Sequence, residues 1–176
     1  MKSVLGLAVA AAAVLLTSAA SAEVVDRSAA GFEVRETATV AAKPDHIWFV
    51  LMRPARWWDS KHTFSGDAKK LSFDPSGCFC EQLDHGAVRH MTVTYADGQT
   101  ELRMFGGLGP LQQTGAAGSL VVQMKPQGAD TLVTMTYDVG GYAKGGLAET
   151  FAAPVDMVLG QQLQRLKKAA ETGRPE

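Results

Sequence analysis

Residues 69–73, 77–83, 87–95, 100–105, 119–125 and 131–139 read as six strand-length runs, and one long amphipathic helix follows directly after them. Asp74-Pro75-Ser76-Gly77, Asp84-His85-Gly86, Ala96-Asp97-Gly98 and Gln127-Gly128-Ala129 are turn sequences, and connections this short join neighbouring strands into an antiparallel meander. The helix starts near Gly146-Leu147 and runs to about Glu171, with Leu147, Phe151, Val155, Val158, Leu159, Leu163 and Leu166 on one stripe. Arg165, Lys167 and Lys168 suit its C-terminus, Gly173 and Pro175 end it, and Pro154 is expected to kink it or to mark where its regular part begins. A sheet of this size must cover its apolar face, and only this helix is long enough to do so. Apolar area that one helix cannot fill leaves a pocket beneath it.

Upstream, residues 31–42 alternate, with Phe32, Val34, Ala38 and Val40 on one face and Glu33, Arg35, Thr37 and Thr39 on the other, as a half-buried strand does. Pro44 opens a short helix over about 44–52, which Pro54 ends, and Arg56-Trp57-Trp58-Asp59 leads through a helical turn into a polar loop. The N-terminus has the pattern of a cleavable signal peptide: Lys2, an apolar run from Val4 to Leu16, then Ala20 and Ala22 at the small-residue positions. Cleavage is expected after Ala22, which leaves residues 23–176 as a single domain, periplasmic or secreted, with no integral membrane span. The formal net charge of -1, with both signs scattered along the chain, argues against a nucleic-acid partner.

Over about residues 31–170 the chain resembles the START-related, birch-pollen-allergen-like superfamily, SRPBCC, in its polyketide cyclase and activator-of-chaperone-ATPase-like branch. The segments that carry the likeness are residues 41–48 entering the first helix, Trp57-Trp58, Gly77-Cys78-Phe79-Cys80-Glu81, Gly106-Gly107-Leu108-Gly109-Pro110-Leu111, and 155–167 at the end. The resemblance implies an α+β helix-grip fold, a curved antiparallel sheet of about seven strands around the C-terminal helix with an apolar cavity. Its members include lipid carriers, hormone and flavonoid binders, cyclases and cochaperones, so it identifies an architecture and not a reaction. In such a fold Trp57 or Trp58 roofs one end of the cavity, unless the pair serves burial alone.

The cavity is expected to be lined from the sheet by Val34, Ala38, Met104, Val133 and Met135, and from the helix by Phe151, Val155 and Leu159. Trp57, Trp58, Met104, Met135, Tyr137, Phe151, Val155 and Leu159 are therefore the ligand-contact candidates, with Tyr137 first of all a core residue. Glu36, His90 and Tyr95 are the candidates for general acid or base. Glu36 interrupts an apolar face, so it either titrates against a ligand, meets an ion-pair partner, or is turned outward by a bulge. If Asp84-His85-Gly86 is a three-residue loop, Glu81 faces Arg89 and Cys80 faces His90 across the ladder, which puts Cys78, Cys80 and His90 on one sheet face. A thiolate–imidazole pair there could act as a nucleophile or hold zinc, but the spacing matches no zinc module, so no metal and no cofactor is expected. The two thiols are expected to stay unbridged unless the strand bulges, because residues two apart in a strand lie about 6.6 Å apart while bridged Cβ atoms sit near ~3.8 Å. The glycine-rich segments 106–110 and 140–146 lack phosphate-loop spacing and read as rims of a cavity mouth.

The leading expectation is binding of a small lipophilic, hydrophobic or amphipathic molecule for carriage, sequestration or sensing. A cavity enzyme of cyclase, dehydratase or hydrolase type is the alternative, and no nucleophile elbow, HExxH or Ser-His-Asp order supports it. A protein-binding adaptor is the third reading, disfavoured as a cochaperone by export to a compartment without ATP.

Overall fold

The computed structural model describes residues 21–176, with side chains from residue 23 onward; residues 1–20 of the expected signal peptide lie outside the described residues. The strands are β1 (Ser21–Arg27), β2 (Gly31–Val40), β3 (Leu71–Phe73), β4 (Cys78–Leu83), β5 (Gly86–Asp97), β6 (Glu101–Gly106), β7 (Gly115–Gln127) and β8 (Asp130–Tyr142). They form one antiparallel sheet in the order β1-β2-β8-β7-β6-β5-β4-β3, so the chain's first and last long strands meet and the rest is a meander. The helices are α1 (Pro44–Leu51) and α2 (Leu147–Thr172), with single 3-10 turns at Pro54–Arg56, Ser60–His62, Ala68–Lys70 and Gly109–Gln113. This is the helix-grip arrangement, with eight strands where about seven were expected. The additional strand is β1, whose alternation is broken by a register shift between Val24 and Asp26 and so left no period to read.

The inner face of β2 carries Phe32, Val34, Glu36, Ala38 and Val40, all buried, against Val139, Tyr137, Met135, Val133 and Thr131 of β8. Leu159, Leu163 and Leu166 of α2 close over this face and are fully or almost fully buried. α2 accommodates Pro154 within its length and ends at Gly173, whose φ of 77° satisfies the left-handed cap. Lys167 donates to the Thr39 carbonyl and to Glu171, and so ties the last turns of α2 to β2. Among the described residues no helix is long and apolar enough to cross a membrane.

The β4–β5 hairpin departs from the expected register. Leu83 pairs with Gly86, so Asp84-His85 is a two-residue turn, and Glu81 faces Val88 while Cys80 faces Arg89. The register then shifts, since Phe79 pairs with Met91 and His90 is left as the extra residue of a bulge on β5. Cys80 therefore does not face His90, and the two lie on opposite sheet faces. Cys78 and Cys80 are joined by a disulfide, contrary to the expectation of free thiols. The extra residue lies on β5 and not on β4, where the expectation allowed for a bulge; β4 is nonetheless short opposite it, with the two Cα atoms 5.5 Å apart, against about 6.6 Å in a regular strand. Denatured, unreduced protein is accordingly expected to show no titratable thiol and to yield a Cys78–Cys80 linked peptide on digestion. Recovery of two free thiols would contradict the local geometry.

Candidate functional site

An apolar cavity of about 530 Å³ opens between the first half of α2, the loop after α1 and the β4–β5 end of the sheet. Thr150, Phe151, Pro154, Val155, Val158 and Leu159 supply its helix wall. Trp58, His62, Thr63 and Phe64 come from the loop, Phe79 and His90 from the sheet, and Leu108, Pro110 and Leu111 from the segment after β6. The aromatic rings are coupled: Trp58 lies 5.2 Å from Phe79, Phe79 lies 4.9 Å from His90, and Phe64 lies 5.9 Å from His90 between ring centroids. Such contacts fix ring planes beyond what area burial alone does.

The loop is pinned to α2 by Gln162, a buried polar residue within the apolar stripe. Its Oε1 accepts from the Asp59 backbone N–H at 3.0 Å, and its Nε2 lies 2.9 Å from His62 Nδ1. The rim after β6 is held by Tyr137, whose hydroxyl donates to the Gly106 carbonyl at 2.8 Å and accepts from the Leu108 N–H at 3.3 Å. Burial pushes the Tyr137 phenol up to about 12.

His90 reaches the cavity because the bulge turns it and Met91 to the same side of β5. Behind it sits Glu81, also inward and almost wholly buried. The Glu81 carboxylate accepts from the Phe64 N–H at 3.1 Å, from the Ser65 N–H, and from His90 Nε2 at 3.0 Å. Burial opposes ionisation of Glu81, but the hydrogen bonds from Ser65, Phe64 and His90 outweigh it and hold the carboxyl below its ordinary range. His90 is lowered, chiefly by burial, with Glu81 opposing. The pair is thus a neutral imidazole that donates Nε2–H to a carboxylate and presents Nδ1 as its lone-pair nitrogen.

Of the residues proposed from sequence, Trp58, Phe151, Val155, Leu159 and His90 come together at this cavity. Trp57, Met104, Met135 and Tyr137 are buried in the packed core outside it, as are Val34, Ala38 and Val133. Tyr95 is exposed, with the Arg103 guanidinium over its ring at 4.7 Å. Of the two glycine-rich segments, the first contributes Leu108, Gly109 and Pro110 to the rim, while Gly140, Gly141 and Tyr142 belong to β8. Glu81 was expected only as the cross-strand partner of Arg89, and His62, Phe64, Phe79 and Gln162 were given no site role. Glu81 shares its face with Phe79 and Leu83, and Gln162 stands within the Leu159–Leu166 stripe, so each left the same signal as Glu36: a polar residue in an apolar phase.

Glu36 lies elsewhere. It points from β2 at Gly160 of α2, where a Cβ would come within 3.1 Å of its Oε2, and next to Asp156. These groups line a separate cavity of about 550 Å³ along α2 with Gln161 and Gln164. Neither Glu36 Oε1 nor Asp156 Oδ1 has a hydrogen-bond partner among the described residues. Burial first, then the negative charge of Asp156, raise the Glu36 carboxyl to about 8. No bulge turns it outward and, among the described residues, no salt bridge pairs it with a cation; it is a buried carboxyl outside the apolar cavity where it was expected to meet a ligand.

No protein-family model and no curated protein matches the sequence. Solved structures do match. The Aha1 dimer from Colwellia psychrerythraea is 17% identical, with 80% of this chain and 97% of that one covered at a TM-score of 0.55. CalU16 from Micromonospora echinospora is 11% identical, covering 78% and 73% at 0.53, and Ara h 8.0201 is 11% identical, covering 79% and 94% at 0.51. At such identities the likeness is one of fold, and this chain has the helix-grip fold that its resemblance to the SRPBCC superfamily implies.

Proposed function

We propose that this protein, after export, binds a small hydrophobic or amphipathic molecule in the cavity between α2 and the β4–β5 end of the sheet, as a periplasmic or secreted carrier, sequestering protein or sensor. One observation carries the reading: a space of about 530 Å³ walled by aromatic and aliphatic side chains, within the roughly 300 to 1,000 Å³ of small-molecule sites. The fold shared with the Aha1, CalU16 and Ara h 8.0201 structures supports it. The signal-peptide pattern of residues 1–22 supports the location. A cavity enzyme is the second reading, favoured by the imidazole that Glu81 orients at the wall.

Nile red, which fluoresces in apolar surroundings, is expected to bind the folded protein at neutral pH. Val158 lines the cavity and is only half-buried, so Val158→Trp can fill the space from the helix side without disturbing the packed core. It should weaken the dye at least about tenfold while leaving the unfolding transition in place. Absence of dye binding, or binding indifferent to Val158→Trp, would remove the main support for this reading.

A further inference from the structure

Among the polar side chains that line the apolar cavity, Lys61 and Thr150 are exposed and His62 and Thr63 half-buried, so they meet a ligand in competition with water. His90 alone is buried, at 5% exposure. Phe64 and Phe79 pack against its ring, and Glu81 takes its Nε2–H at 3.0 Å. The remaining nitrogen, Nδ1, has only the Gln112 amide near it, at 3.5 Å, the outer limit of a hydrogen bond. A buried acceptor without a good donor costs free energy, and a ligand that supplies the donor recovers it.

We propose that His90 selects the ligand's polar end: its Nδ1 accepts a hydrogen bond from the hydroxyl of a neutral hydrophobe, an alcohol, phenol or enol, with Glu81 as the positioning residue that keeps Nδ1 the acceptor. This rests on the cavity reading above and narrows its ligand class. His90 gives a carboxylate head no hold, since it would meet a lone pair instead of a donor, with the negative Glu81 behind the ring, and the Lys61 ammonium that also lines the cavity is exposed and meets it in competition with water. An ether or unsubstituted hydrocarbon leaves Nδ1 with the long Gln112 contact alone. Glu81 touches no ligand; without its carboxylate either imidazole tautomer becomes available.

The test is displacement of Nile red from the full chain by 2-naphthol, 2-methoxynaphthalene and 2-naphthoate, which share one ring system. Naphthol is expected to bind about tenfold more tightly than the methyl ether, with naphthoate weakest. His90→Phe should erase the preference for naphthol over the ether while the dye still binds. Glu81→Gln, whose amide can donate to Nε2, should shrink or reverse it by letting Nδ1 carry the proton; a merely structural residue would weaken all three compounds alike. The comparison in the unmodified protein stands even if either variant fails to fold. Equal binding of naphthol and its ether, or tighter binding of naphthoate, overturns the proposal and leaves the apolar cavity intact as a binding site. Failure of the dye itself to bind overturns both.

Discussion

Glu36→Gln is expected to leave the protein about as stable as the parent near pH 4 and to make it clearly more stable at pH 9. In the folded chain the Glu36 carboxyl titrates at about 8 instead of 4.5, so the folded state holds this proton more tightly than the unfolded state does. Its contribution is therefore fully present below the unfolded value of 4.5 and is lost as pH rises through about 8. At about 1.4 kcal/mol per unit the loss is at most about 5 kcal/mol, reduced by the solvent that reaches the groove along α2, and still a large part of a small domain's stability. Glutamine has the shape of the protonated acid, never ionises, and its amide can donate toward Asp156 Oδ1, which now has no partner. Urea unfolding of both proteins from pH 4 to 9 measures the difference, with other titrating groups cancelling between them. Parallel pH profiles would show that the carboxyl is not held in its neutral form.

The second large effect concerns α2. Leu163 is completely buried between Leu159 and Leu166 on the helix face that covers the sheet. Leu163→Ala removes core volume at a site walled by both layers, and should cost roughly 2 to 5 kcal/mol by urea unfolding. Lys168→Ala, one turn on and exposed, should change stability by less than about 0.5 kcal/mol. Comparable losses at the two positions would mean that α2 is an appendage and not the second layer of the core. Deletion of everything after Pro154 should abolish cooperative unfolding for the same reason.

The architecture was legible because period carries it. The stripe from Leu147 to Leu166 and the alternation along β2 are long enough to specify both element and buried face. Glu36 was legible as a polar residue in an apolar phase, although which group it would meet was not. The register of β4 against β5 was hidden, because Asp84-His85-Gly86 suits a two-residue turn as well as a three-residue one, and the bulge beyond it adds a residue to β5 without marking composition. The two-residue turn sets Glu81 opposite Val88 in place of Arg89, and the bulge then turns His90 inward, to the face that Glu81 already shares with Phe79. The position of the cavity was hidden for a related reason. Period tells which side chains point inward, and Met104, Met135 and Tyr137 do, but not where inward-pointing side chains meet. In the middle of the sheet they fill the space. Towards the first half of α2 they do not, and the Trp58–Phe64 loop walls what remains.

The Cys78–Cys80 bond joins residues only two apart in sequence. A cross-link between distant elements withholds conformational freedom from the unfolded chain in proportion to the logarithm of the loop it closes, and here there is almost no loop to close. It is a clip within a single strand, and cutting it would release no segment of the polypeptide. Its influence is therefore one of shape: it holds two Cα atoms of β4 at 5.5 Å opposite a β5 that carries one residue more, at the bulge where His90 turns inward.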